Sequence, residues 1–112
     1  MAGRLDATWR AYRPDRWRGV DVLSSPPSTY LRRFHVDTNV WSVPALRLLL
    51  DVLGPDRLLV GNDQPPVWFP LGESLALLDQ LALSAAEREA IRWGNAARFF
   101  GIAAPWAAAA RA

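Results

Sequence analysis

The hydrophobic positions between residues 33 and 61 change their period twice. Residues 33–39 are rich in aromatic and β-branched side chains, which predicts a strand whose C-terminal end turns polar. From Val43 to Leu53 the apolar residues recur at helical spacing, with Ser42 placed as a cap and Gly54 as a stop. Residues 57–61 contain a short apolar run typical of a strand buried on both faces. Strand, helix and strand over 33–63 predict a βαβ unit with parallel strands, and hence an α/β protein.

The segment before this unit, residues 1–32, is predicted to be a helix and a loop. Residues 5–12 are compatible with a short helix that Pro14 terminates, because the residue before a proline is pushed out of helical geometry. Ser25 followed by Pro26 is typical of a second helix start.

The segment after the unit, residues 64–101, is predicted to be mainly helical. A helix covers about 73–81, and Ser84 with Glu87 forms a capping box that opens the next helix. That helix contains Ile91 and ends near Gly94, and residues 95–100 form a last helical turn or two that Gly101 closes. Residues 102–112 form an alanine-rich tail.

The amino-acid composition excludes several kinds of functional site. The 112 residues include no cysteine, so disulfide scaffolds and cysteine-ligated zinc are excluded. The single histidine, His35, excludes a metal site built from several imidazoles of this chain. All basic residues are arginine, which raises the pI to about 9.9 although the net charge is only +2. Absence of cysteine, of a signal peptide and of a long apolar run favours a cytoplasmic protein without a membrane partner.

Two aspartates fall where ligands bind in parallel α/β proteins, at the C-terminal ends of the strands. Asp37 ends the first predicted strand and Asp63 follows the second. Alternation along the strand places Asp63 on the same side as Leu59 and Gly61, which faces the lumen if a barrel exists. The structural alternative is that each aspartate accepts backbone donors in a tight turn.

Five segments together resemble the last part of an amidohydrolase-related protein, in the branch of aminocarboxymuconate-semialdehyde decarboxylase. They are STYLRRFHVDT (28–38), ALRLL (45–49), GPDRLLVGNDQP (54–65), EREAI (87–91) and GNAARFFG (94–101). The resemblance implies the C-terminal portion of a metal-dependent (β/α)8 TIM barrel, with about the last two strand–helix units followed by C-terminal helices. Residues 33–39 would then be the seventh barrel strand, and the whole chain a partial domain.

The resemblance also implies functional residues. In that family a Gly-Ser/Thr-Asp-Tyr-Pro motif ends the eighth strand, and its aspartate binds one divalent metal, usually zinc, beside a catalytic water. The matching residue is Asp63, although Asn62 and Gln64 replace the motif's hydroxyl residue and tyrosine. Arg4 lies in a Gly-Arg-Leu-Asp element whose arginine holds a substrate carboxylate in a neighbouring subunit. A solvated arginine at the chain end is the alternative for Arg4.

The family's histidine ligands have no counterpart in this sequence, and His35 is expected to be packed or hydrogen-bonded rather than a ligand. We therefore expect the C-terminal fragment of a metal-dependent decarboxylase or hydrolase for a small carboxylate substrate, inactive alone. The competing interpretation is a non-catalytic barrel remnant that pairs with another subunit; a homo-oligomer or a complementing subunit is expected in either case. A third, nucleic-acid binding through Arg10, Arg13, Arg16 and Arg18, is not favoured, because such a cluster usually forms a solvated face or a subunit contact.

Overall fold

The structure, a computed structural model, describes residues 2–11, 23–65 and 70–103 in two units, Met1–Phe34 and His35–Ala112. The N-terminal unit contains helices α1 (Ala2–Ala11) and α2 (Ser28–Leu31). The C-terminal unit contains strands β1 (Val36–Asp37) and β2 (Leu58–Leu59). Its helices are α3 (Val43–Leu53), α4 (Leu71–Asp79), α5 (Ala85–Glu89) and α6 (Asn95–Phe100). A 3-10 turn (Pro55–Arg57) precedes β2, and a π-helical turn (Ala90–Gly94) joins α5 to α6.

A long-range hydrogen-bond pair holds the N-terminal unit together. The Asp6 carboxylate accepts the Ser28 backbone N–H at 2.8 Å and the Ser28 hydroxyl at 2.6 Å. These two bonds, the hydroxyl first, lower the pKa of Asp6 below its ordinary value. The helix start predicted at Ser25 and Pro26 is therefore wrong: α2 begins at Ser28, where a carboxylate from α1 satisfies the free N–H. The first helix begins before its predicted start, and Pro14 lies outside the described residues.

The two strands pair in parallel, as predicted, with Val36 opposite Leu58 and Asp37 opposite Leu59. Both strands are shorter than predicted. The Arg33 and Phe34 N–H groups donate to the carbonyls of Tyr30 and Leu31, so those residues close α2 instead of opening β1.

The crossover helix α3 has the predicted bounds. It begins after Ser42, which makes no side-chain capping bond, and it ends at Gly54, whose φ of 90° suits glycine. The helix buries its apolar stripe in a core with β2 and α4. The buried apolar side chains of the described residues are Leu46, Leu53, Leu58, Leu78, Leu81 and Ile91.

The C-terminal helices follow their local signals closely. Helix α4 starts and stops about two residues before the predicted bounds, while the capping box of Ser84 and Glu87 and the left-handed stop at Gly101 are confirmed. The predicted end at Gly94 is wrong, because the backbone stays helical through the π turn into α6. The tail beyond 103 lies outside the described residues, and within those residues no helix is long and apolar enough to cross a membrane.

Asn95 joins α6 to the start of β2. Its side chain is 1% exposed, and its Nδ2 donates to the carbonyls of Pro55 at 2.7 Å and Leu58 at 2.6 Å. Arg98 donates in turn to the Asn95 Oδ1. Through this amide α6 is attached to the N-terminal end of the sheet, opposite to the end where the two aspartates lie.

We predict that Asn95→Ala lowers the free energy of unfolding by about 1–3 kcal/mol, because it leaves the Pro55 and Leu58 carbonyls without their donor. Urea denaturation followed by circular dichroism measures the change. The control is Gln80→Ala, which removes an exposed amide that bonds only weakly, at 3.5 Å, within its own helix. Equal loss in the two variants would contradict the structural role of Asn95.

We also predict that the capping box weakens in acid. The Ser84 backbone N–H and hydroxyl donate to the Glu87 carboxylate and lower its pKa below the ordinary 4.5. Its stabilisation is therefore fully present above pH 4.5 and is lost as pH falls through the folded-state value. Thermal unfolding of the wild type and Glu87→Gln between pH 7 and pH 2 should give curves that differ at neutral pH and converge in acid. A constant difference would contradict the prediction.

Candidate functional site

A buried threonine continues the pairing of the two strands past their last ladder residues. The Thr38 side chain is 1% exposed, and its N–H donates to the Leu59 carbonyl at 2.9 Å. Its hydroxyl accepts the Gly61 N–H at 3.2 Å and lies 3.4 Å from the Gly61 carbonyl, to which it donates. The C-terminal ends of β1 and β2 are thus held side by side by one hydroxyl.

Asp37 lies directly against Gly61. A Cβ at position 61 would be 2.8 Å from the Asp37 Cβ and 3.2 Å from its Oδ2, so the close approach requires glycine. The other carboxylate oxygen, Oδ1, accepts the Asn39 N–H at 3.1 Å. Asp37 therefore accepts a backbone donor in a tight turn, as the structural alternative predicted. Its side chain nevertheless remains exposed at the end of β1.

Asp63 lies four residues beyond the end of β2. It is exposed, and its φ of 58° is in the left-handed region. The alternation used to orient Asp63 requires extended backbone up to that residue, so the orientation predicted from Leu59 and Gly61 does not follow. In the part of the chain that the structure describes, no hydrogen bond or ion pair engages the Asp63 carboxylate, which leaves both oxygens free to bind a ligand.

His35 is packed, as expected. Its ring lies 4.6 Å from the Phe99 ring, centre to centre, and its Nε2 lies 3.4 Å from Nη1 of Arg57. The Arg57 guanidinium also pairs with Asp56 at 3.2 Å. These contacts place the only imidazole of the sequence at the start of β1, whereas Asp37 is at its end.

Arg4 lies in the first turn of α1 and is exposed. It belongs to the N-terminal unit, and Asp63 belongs to the C-terminal unit. Asp6, the acidic residue of the same Gly-Arg-Leu-Asp element, binds Ser28. Arg10 is also on α1, whereas Arg13, Arg16 and Arg18 lie outside the described residues.

The described residues do not hold a zinc ion by themselves. Among 2–11, 23–65 and 70–103 no group of three histidine, cysteine, aspartate or glutamate side chains is close enough to share a metal. Protein zinc sites use at least three such ligands. Asp63 has the chemistry of one ligand, and the others would have to come from another segment.

The C-terminal helices carry cavities. One of about 480 Å³ is lined by Trp93, Gly94, Ala97, Arg98, Gly101, Ile102 and Ala103. It contains no nucleophile or acid–base group beyond an arginine. The candidate site is the polar edge at the C-terminal ends of the strands, where Asp37 and Thr38 contact Gly61 and Asp63 follows two residues later.

Sequence reasoning found Asp37 and Asp63 but missed the function of Thr38 and Asn95. A buried hydroxyl that bonds across to the next strand has no local signature. Asn95 gives a weak signal, since asparagine is a poor helix former and here lies at the start of the predicted helical segment 95–100.

Comparison with known proteins shows which family the chain belongs to. The family model described as amidohydrolase matches residues 2–102. The chain belongs to the amidohydrolase family. The small α/β structure of this amidohydrolase segment, with its parallel strands and polar strand ends, agrees with the fold that the resemblance implied.

Two curated relatives are decarboxylases. The chain is 32% identical over 103 residues to 2-amino-3-carboxymuconate-6-semialdehyde decarboxylase of Dictyostelium discoideum, covering 89% of this chain and 27% of the relative. It is 30% identical over 105 residues to the enzyme of the same name from Caenorhabditis elegans, covering 91% and 25%. The amidohydrolase segment thus spans about a quarter of the length of the curated relatives that it matches.

The chain is also similar to part of a solved decarboxylase structure. The crystal structure of 5-carboxyvanillate decarboxylase LigW from Sphingomonas paucimobilis matches with a TM-score of 0.75 and 30% identity. The match covers 91% of this chain and 30% of that one.

We predict that Gly61→Ala destabilises this amidohydrolase segment by about 1–3 kcal/mol, because the added Cβ overlaps Asp37 on the neighbouring strand. Urea denaturation measures the loss. Gly72→Ala is the matched control: no atom lies within 4 Å of its added Cβ, and the residue is helical, so little or no loss is expected. Asp37→Gly should recover part of the loss in a double variant, whereas strict additivity would contradict the proposed overlap.

Proposed function

We propose that this chain supplies the C-terminal part of a metal-dependent amidohydrolase-type decarboxylase or hydrolase that acts on a small carboxylate-bearing substrate. The observation that carries the proposal is the match of 89–91% of the chain to enzymes that are decarboxylases by name. In this proposal β1 and β2 are the seventh and eighth strands of a (β/α)8 barrel. The predicted location of the protein is the cytoplasm, which is a reducing compartment.

Asp63 is the residue through which the chain would contribute to the metal centre. Its free, exposed carboxylate at the C-terminal side of β2 supports that function. Zinc accepts carboxylate oxygen, which makes it the expected metal. Because the described residues offer no complete ligand set, the remaining ligands belong to another segment, and the chain alone is expected to be inactive.

The chain's other contribution is to position the Asp63 loop. The Thr38 hydroxyl holds Gly61 against β1, and Asp37 closes over that glycine. The loop that carries Asp63 therefore starts from a fixed point two residues earlier. An enzyme needs its metal ligands held in such a fixed position, because a displacement of about 1 Å reduces the rate of catalysis strongly.

Arg4 is proposed to bind the substrate carboxylate. Support comes from its exposure in the first turn of α1 and from the geometry of guanidinium, whose N–H pairs match the two oxygens of a carboxylate.

A second candidate is a non-catalytic protein that pairs with another subunit. It is favoured by large apolar side chains exposed on the C-terminal unit, among them Leu48 at 61% and Phe100 at 65%. Analytical ultracentrifugation together with an activity assay separates the two: a defined oligomer without activity in any complex supports the second candidate.

We predict that the purified chain releases no CO2 from 5-carboxyvanillate or 2-amino-3-carboxymuconate semialdehyde. Activity should arise when the chain is joined, as one polypeptide, to the preceding three-quarters of the Dictyostelium relative. In that chimaera Asp63→Asn should lower kcat/KM at least about 100-fold, through loss of a metal ligand.

Asp51→Asn, which removes an exposed carboxylate on α3, is the control and should retain activity. Zinc content measured by atomic absorption should fall in Asp63→Asn and not in Asp51→Asn. CO2 release by the chain alone, or full activity and zinc content in the Asp63 variant, would contradict the proposal.

A further inference from the structure

The hydrogen bond between His35 and Arg57 determines which nitrogen of the imidazole carries the ring proton. Nη1 of Arg57 lies 3.4 Å from Nε2 of His35. A guanidinium has donors only and is not deprotonated in proteins, so Nε2 must be the acceptor. In a neutral imidazole whose Nε2 accepts, the hydrogen is on Nδ1. Within the described ranges no other hydrogen bond to the ring competes with this arrangement.

The contact joins the beginnings of the two strands. His35 directly precedes β1, and Arg57 ends the 3-10 turn that directly precedes β2. Helix α6 also contacts the imidazole, through the Phe99 ring at 4.6 Å, centre to centre. The imidazole therefore lies at the same end of the sheet that the Asn95 amide closes.

The charged groups nearest to the imidazole come from the 3-10 turn. The Nε of Arg57 pairs with the Asp56 carboxylate at 3.2 Å, so this carboxylate is already bound to the guanidinium. Helix α6 contributes the uncharged Phe99 ring, and its Arg98 donates to a buried amide of the same helix. On β1, Asp37 accepts a backbone N–H at the far end of the strand. A protonated imidazole would therefore lie against a guanidinium, which is a like charge.

We propose that this contact, the His35–Arg57 link, is a pH-sensitive connection between the beginnings of β1 and β2. Protonation of Nε2 removes the acceptor and places the N–H groups of two cations opposite each other. The link is therefore present while the imidazole is neutral. It is lost as the pH falls through the range of about 5 to 8, in which an imidazole changes its charge.

The link connects acidity to the strand that carries part of the candidate site. Strand β1 has only two residues, so Asp37 and Thr38 follow within three residues of His35. These two residues contact Gly61 at the C-terminal end of the strands. Loss of the link would loosen this short strand pair from its beginning, without a charge change at the candidate site. The link itself does not depend on the proposed function.

Nitrogen NMR of the unsubstituted chain tests the position of the ring proton. His35 is the only histidine of the sequence, so its imidazole signals need no separation from others. At about pH 8 the Nε2 signal should be that of an unprotonated nitrogen and the Nδ1 signal that of a protonated one. A hydrogen on Nε2 instead would overturn the proposal.

Urea denaturation at about pH 8 and about pH 5 tests the effect on stability. Between these two conditions the unfolding equilibrium constant of the wild type should rise at least about threefold more than that of His35→Phe. The variant keeps a ring beside Phe99 but cannot take up a proton. Carboxylates and the amino terminus titrate in both proteins, so their contributions cancel. Equal rises in the two proteins would overturn the proposal.

Two arginine variants show whether the effect comes from the link. Arg57→Met removes the guanidinium and should reduce the rise to that of His35→Phe. Arg47→Met makes the same change at an exposed arginine of α3 and should retain the wild-type rise. A wild-type rise in Arg57→Met would overturn the proposal. Should a variant fail to fold, the NMR signals of the unsubstituted chain decide the question.

Discussion

The amide of Asn95 is the constraint on which the C-terminal unit depends. It binds two carbonyls, of Pro55 and Leu58, which belong to the turn before β2 and to the first residue of that strand. Buried carbonyls without donors are costly, so the helix and the strand are stable only together. The π turn delivers Asn95 to this position, and Arg98 satisfies the remaining oxygen. The N-terminal end of the sheet is thereby closed by helix α6 of the same chain.

What the sequence predicted correctly depends on signals only a few residues apart. The bounds of α3, the stop at Gly54 and the capping box at Ser84 each follow from neighbours along the chain. The start of α2 could not be predicted in this way, because it is determined by Asp6, 22 residues earlier. Strand lengths were overestimated for a related reason: β-branched composition favours extended backbone, but hydrogen bonds to the preceding helix removed Arg33 and Phe34 from β1.

The candidate site was predictable in part. Strand polarity and the family motif were enough to select Asp37 and Asp63. Strand periodicity failed to orient Asp63 because the backbone leaves the extended region before that residue, with φ at 58°. The contact of Asp37 with Gly61 required the structure, although glycine at a strand end is a known sign of close backbone approach.

The C-terminal unit buries some of its large apolar side chains and leaves others exposed. Six apolar side chains are buried among the described residues, while Leu48, Phe99 and Phe100 are each more than half exposed. Covering such a side chain contributes roughly 1 kcal/mol or more, so their burial would stabilise a small unit appreciably. The end of the sheet nearest Asn95 is already closed, because the Leu58 carbonyl, on the first residue of β2, accepts that amide. If Asp63 is to hold an ion, additional metal ligands must therefore enter at the opposite end of the strands, where Asp37 and Asp63 lie.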